Sequence, residues 1–136
     1  MAAISNLNID QGTDFEVSVS LFDKELNPFD LREYVLDANN NNNPTFQTPG
    51  TYPVIKGQIR KSFNSIKSYE FDIQVIDAIN GVVVLRLPYT VSNTMKPGRY
   101  IYDIEVKSFN VVIGQPMVER ILQGNILLSG NVTKLI

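Results

Sequence analysis

The sequence contains no cysteine and no histidine. Without cysteine there are no disulfides, no thiolate metal ligands and no thiol nucleophile, and folding needs no oxidising compartment. Without histidine the Ser-His and Cys-His nucleophile pairs are excluded, and with them the usual zinc sites. Charge of one sign is lacking too. The 14 acidic and 12 basic residues are mixed along the chain and leave a formal net charge of −2, so no field concentrates a polyanion and nucleic acid is not an expected partner. No apolar run approaches a membrane span, and Met1 to Asn6 lack the basic flank and apolar stretch of a signal peptide. A soluble chain made in the cytosol, with no membrane partner, is the expectation. The eight glycines are scattered singly, so there is no Gly-rich loop to cradle a phosphate. No cofactor, no metal and no catalytic residue are expected.

What the sequence does have is a period of two, the mark of strands with one face buried. Phe15, Val17, Val19 and Leu21 alternate with Asp14, Glu16, Ser18 and Ser20. Tyr69, Phe71, Ile73 and Val75 alternate with Glu70, Asp72 and Gln74, and Asn80-Gly81 then precedes the apolar run from Val82 to Leu87. Asn and Gly accept the positive φ of tight hairpin turns, which predicts an antiparallel pair here. A polar stretch from Tyr89 to Thr94 leads to the turn Met95-Lys96-Pro97-Gly98. The next strand puts Tyr100, Tyr102, Ile104 and Val106 on one side and Arg99, Asp103 and Glu105 on the other, with Ile101 the one apolar exception.

Met117 to Leu128 reads as the last long strand, with Gly124 as a bulge or a point of close approach. Extended pieces at Leu7 to Ile9, Glu33 to Asp37 and Val54 to Ser62 bring the count to about 7–8 strands. Only Phe29 to Tyr34 reads as a short helical turn. Tyr100, soon after a turn at the start of a late strand, matches a tyrosine corner, whose hydroxyl bonds back to nearby backbone. The fold class expected is all-β, an immunoglobulin-like antiparallel β-sandwich, with residues 1–136 forming one domain.

The stretch 38–53 is the most unusual. It carries Asn39, Asn40, Asn41, Asn42 and Asn43 in an unbroken run, followed by three prolines and a glycine. Asn favours turns and Pro lacks the ladder donor, so a long exposed loop is expected, either a tolerated insertion or a contact arm that orders against a neighbour. Carboxylates two apart occur at Asp14 and Glu16, Asp23 and Glu25, and Asp103 and Glu105. Such pairs can serve a glycosidase or bind calcium, but acids opposite an apolar face are also what a wet strand surface looks like.

An ordered set of motifs carries a resemblance. Leu7-Asn8-Ile9-Asp10-Gln11-Gly12-Thr13-Asp14-Phe15, Phe29-Asp30-Leu31, Gly57-Gln58-Ile59-Arg60-Lys61-Ser62, the turn and strand from Lys96 to Glu105, and Val118 to Gly124 followed by Val132-Thr133-Lys134 resemble small structural proteins of tailed phages, including those of cyanobacteria. They also resemble the N-terminal domain of upper-baseplate proteins that hold receptor-binding proteins. The resemblance implies a non-enzymatic virion assembly module, made in the host cytoplasm, present in several copies and bound to other virion structural proteins. A tail position at the baseplate or fibre attachment is favoured, with a head or neck role (capsid decoration or head-tail connector) and a glycan-binding module as alternatives. Two departures stand out: the inserted Asn- and Pro-rich segment, and the apolar ending Leu135-Ile136, which is expected to tuck into a neighbouring subunit.

Overall fold

The computed structural model describes residues 3–31, 34–37, 40–46, 53–110 and 115–133. In chain order the strands are β1 (Ala3–Ile4), β2 (Leu7–Asp10), β3 (Phe15–Ser20), β4 (Tyr34–Asp37), β5 (Asn40–Phe46), β6 (Val54–Arg60), β7 (Tyr69–Glu70), β8 (Asp72–Asp77) and β9 (Val82–Leu87). A four-residue helix α1 (Tyr89–Ser92), then β10 (Gly98–Asn110) and β11 (Gln115–Ser129), complete the order.

The strands form two main sheets. One runs β1–β11–β10–β6–β7 with β2 also on β11, and the other runs β3–β9–β8. β1 and β2 lie parallel to β11, and the other pairings are antiparallel. Segregation of β3, β9 and β8 from β6, β10 and β11, with the short β7 added beside β6, is the strand order of an immunoglobulin-like sandwich. The expected all-β class is what the chain adopts. The alternation read from sequence decides which residues meet between the sheets. Val83, Leu85 and Leu87 face Ile59, Tyr102, Ile104, Val106, Ile126 and Leu128, all buried. Burial of each such side chain stabilises the fold by roughly 1.5–3 kcal/mol before the entropy of ordering is subtracted.

The extended run from Tyr69 to Asp77 changes sheets at Phe71. Tyr69 pairs with Ile59 in the larger sheet, the Phe71 amide donates to the Gly57 carbonyl at 3.0 Å, and Asp72 then pairs with Arg86 in the smaller one. The Asn80-Gly81 turn joins β8 to β9, and Gly81 has φ +67°. A side chain there would meet the carbonyls of Phe29 and Leu21 at 2.6 and 2.8 Å.

That packing also corrects the helical turn expected at Phe29 to Tyr34. Phe29 and Leu31 are buried in a segment that is neither helix nor strand, and their amides donate to the Leu21 and Ala78 carbonyls at 2.9 and 2.8 Å. Two buried residues two apart follow the period of an open chain segment against the core and not the 3.6 of a helix. Arg32 and Glu33 lie outside the described residues. The helix occurs instead within the polar stretch after Pro88, where Asp14 Oδ1 accepts the Tyr89 amide at 2.8 Å and supplies the cap that Pro88 lacks. Ser92, the one buried polar residue of the described core, accepts from the Gly12 amide at 3.0 Å and donates to the Thr13 carbonyl at 3.3 Å.

A second correction concerns the stretch 38–53. Asn40–Phe46 is not a loop: it pairs antiparallel with Tyr34–Asp37, Tyr34 opposite Phe46 and Asp37 opposite Asn40, in a two-stranded sheet of its own. Asn and Pro are poor in a central strand, but a two-stranded hairpin is all edge, and an edge tolerates Pro44. Residues 38–39 and 47–52 lie outside the described residues.

Candidate functional site

The solvent face of the larger sheet is built by strand register. The Cα partners of β10 place Ile101 between Asn125 and Arg60, Asp103 between Gln123 and Gln58, and Glu105 between Arg120 and Lys56. Nine side chains thus form a three-by-three grid across β11, β10 and β6. The face is hollowed into a trough of about 440 Å³, flanked by Ile4 and Asn6 of the N-terminal segment and by Phe63 from the turn after β6.

Arg120 reaches the grid through a bulge. The register shifts between Ile104 and Glu105 so that Ile121 has no partner of its own, and Ile121 and Leu122 are both buried. One extra residue reverses the parity and turns Arg120 outward, where its Nε lies 3.1 Å from Asp103 Oδ2. The bulge offered at Gly124 is therefore at Ile121, and Gly124 is the point of close approach. A side chain at Gly124 would overlap the Ser5 carbonyl oxygen. The consecutive apolar pair Ile121-Leu122 is the sequence signal for that bulge.

Arg60 is held in place. Its Nη1 donates to the Ser65 carbonyl at 2.5 Å and its Nη2 to Gln58 Oε1 at 3.1 Å. Gln58 Nε2 in turn donates to Glu70 Oε1 at 3.2 Å, and that bond, with Lys56 3.4 Å away, holds the Glu70 carboxyl below its ordinary range. Glu105, Gln123 and Asn125, by contrast, have side chains with no hydrogen-bond or ion-pair partner among the described residues.

The carboxylate pairs are separated in their tasks. Asp14 caps α1, while Glu16 faces Arg86 at 3.9 Å, which also faces Asp72 at 3.8 Å on the smaller sheet. Asp23 Oδ1 accepts the Glu25 and Asn27 amides in the turn after β3. Asp103 is paired with Arg120, leaving Glu105 alone. Among the described residues no three acidic side chains gather around a point where a cation would sit. No helix among them is long and apolar enough to cross a membrane.

Of the residues singled out in the sequence, Asn40 to Asn43 lie on β5, apart from the trough, and Asn39, Leu135 and Ile136 fall outside the described residues. Tyr100 is buried, and its hydroxyl donates to the Lys96 carbonyl at 2.6 Å, four residues back across the turn. Tyr102, two residues on, donates to the Ser5 carbonyl at 2.5 Å and ties the N-terminal segment to the sheet.

Burial pushes both phenols above the ordinary value of 10.0. A raised value in the fold means that the neutral form is favoured there. The stability it carries is complete below pH 10 and is lost as pH rises through the higher folded values. Urea midpoints are expected to hold steady from about pH 7 to about pH 9 and to fall beyond about pH 10, with a shallower fall in Tyr102→Phe. A Tyr102→Phe curve as steep as the wild type would assign the alkaline loss to other groups.

Comparison with protein-family models and with curated proteins finds no match for this chain.

Proposed function

We propose that the domain is a non-enzymatic structural and assembly protein of a tailed-phage virion, placed in the tail at the baseplate or fibre attachment and joined to other virion proteins by strand addition. The sequence resemblance supports the virion setting. One observation of the fold supports the mode of attachment: among the described residues β3 is a regular, six-residue edge with no outer partner.

Sheet edges present unpaired donors and acceptors, and proteins blunt the ones they do not use. Three of the other edge elements of the two main sheets are short or interrupted. The N-terminal segment is interrupted between β1 and β2, β7 is two residues long, and β8 carries a register break between Val75 and Asp77. β3 has no such interruption. It pairs with β9 residue for residue from Phe15 to Ser20, and its outward side chains Glu16, Ser18 and Ser20 are exposed. An extended segment of a partner can satisfy that edge with main-chain bonds.

Gold-labelled antibody against the recombinant chain, applied to purified particles of the phage that encodes it, is expected to mark the tail end. Label on the head or neck moves the protein to that position. A blot of denatured particles without the chain overturns the virion reading. The edge has its own test: Ser18→Lys with Ser20→Lys, both at exposed positions, should leave the urea midpoint unchanged yet compete poorly with wild type for incorporation. Equal incorporation would remove β3 from the interface.

A further inference from the structure

We infer that the trough on the larger sheet is a binding site for a neutral saccharide. It lies on the sheet that does not contain β3, and it goes beyond the assembly role.

Charge excludes an ionic ligand first. Asp103 is paired with Arg120 at 3.1 Å and Lys56 with Glu70 at 3.4 Å, and Glu105 and Arg60 are of opposite sign on the same face. The trough therefore offers no excess of either sign to a cation or an anion. The unspent groups then define what is recognised. The Glu105 carboxylate accepts, and the Gln123 and Asn125 amides each donate and accept. All three are free of partners among the described residues and line the same trough. A sugar hydroxyl also donates and accepts, so a row of hydroxyls matches this mixture where a hydrocarbon or a single charged group does not.

The third element is apolar. Ile101 is the grid's one hydrocarbon residue, and Phe63, 84 % exposed, stands at the rim opposite Ile4, 71 % exposed. A pyranose ring has a C–H face that packs on such surfaces while its hydroxyls bond at the edges. Phe63 is not on a loose loop. The Ser62 amide donates to Ser65 Oγ at 3.0 Å, the Ser65 amide donates to the Ser62 carbonyl at 3.1 Å, and Arg60 holds the Ser65 carbonyl from below. A ring presented on a fixed turn loses little freedom on contact. The grid spans about 10 Å across three strands and about 13 Å along them, the footprint of a disaccharide.

Chemical-shift mapping on the full ¹⁵N-labelled chain, with lactose, maltose and cellobiose as probes alongside a broad glycan array, tests the site. At least one neutral glycan is expected to bind and to shift the amides of Ile101, Gln123 and Asn125. Asn125→Ala and Gln123→Ala should each weaken that binding about fivefold, the loss of one net hydrogen bond, and Phe63→Ala should weaken it too, all with unchanged urea midpoints. Silence across the array overturns the inference. So does binding that is confined to sialylated or sulfated glycans, or that persists unchanged in all three variants. Failure here leaves the β3 edge untouched, because the incorporation assay reads the other sheet.

Discussion

Gly124→Ala is expected to unseat the N-terminal segment and cost the domain roughly 2–3 kcal/mol. The segment runs parallel to β11, with Ala3 opposite Leu122 and Leu7 opposite Ile126. Between the two short strands the Ser5 amide donates to the Gln123 carbonyl at 2.9 Å, and Asn6 Oδ1 takes the place of a main-chain acceptor for the Asn125 amide at 3.0 Å. The backbone therefore passes directly over residue 124. A methyl group there would overlap the Ser5 oxygen and sit 3.1 Å from Tyr102 Cε1.

Backbone cannot rotate away as a side chain does, so the whole segment must move and its bonds to β11 must lengthen. Hydrogen exchange is the direct readout. Protection should be lost at Ser5 and Asn125 while β6 amides such as Ile59 keep theirs, and the denaturation midpoint should fall. Wild-type protection at Ser5 in the variant would mean that the segment does not lie over Gly124.

Tyr102→Ala is expected to cost roughly 3–5 kcal/mol, a large share of the ~5–15 kcal/mol that holds a domain together. Tyr102 is 3 % exposed, and its ring meets Phe71 edge-on at 5.7 Å, where the chain crosses between the sheets. Truncation opens a cavity beside that crossing and frees the Ser5 carbonyl. Tyr102→Phe keeps the ring and loses only the hydroxyl bond, so about 1–2 kcal/mol is expected. Equal midpoints for the phenylalanine variant and the wild type would show that the Ser5 bond contributes nothing net. Because Gly124→Ala and Tyr102→Phe both act through Ser5, their effects in the double variant should sum to less than the parts.

The trough was only half legible in advance. Asp103 and Glu105 were visible as acids on one face of a strand, and Ile101 as the apolar residue among them. Their neighbours were not, because Arg60 and Gln58 lie 41 and 45 residues before their partners Ile101 and Asp103, Gln123 and Asn125 lie 20 and 24 residues after theirs, and only pairing register sets them side by side. Arg120 needed the bulge as well. The Asn-rich stretch departs from the expected loop because propensity for a central strand does not govern a segment that, among the described residues, pairs with its own neighbour alone.

The sequence by itself determined which residues are core and which are wet along Phe15 to Leu21 and Tyr100 to Val106, the turn at Asn80-Gly81, and the all-β class. These rest on the two-residue period and on turn chemistry, both local properties of the chain. Tertiary structure alone decided that the N-terminal segment lies parallel on β11, that Phe71 carries the chain between sheets, and that β3 lies at an edge of the smaller sheet among the described residues. Each of those depends on which strands become neighbours, and alternation along one strand is the same whichever partner lies beside it.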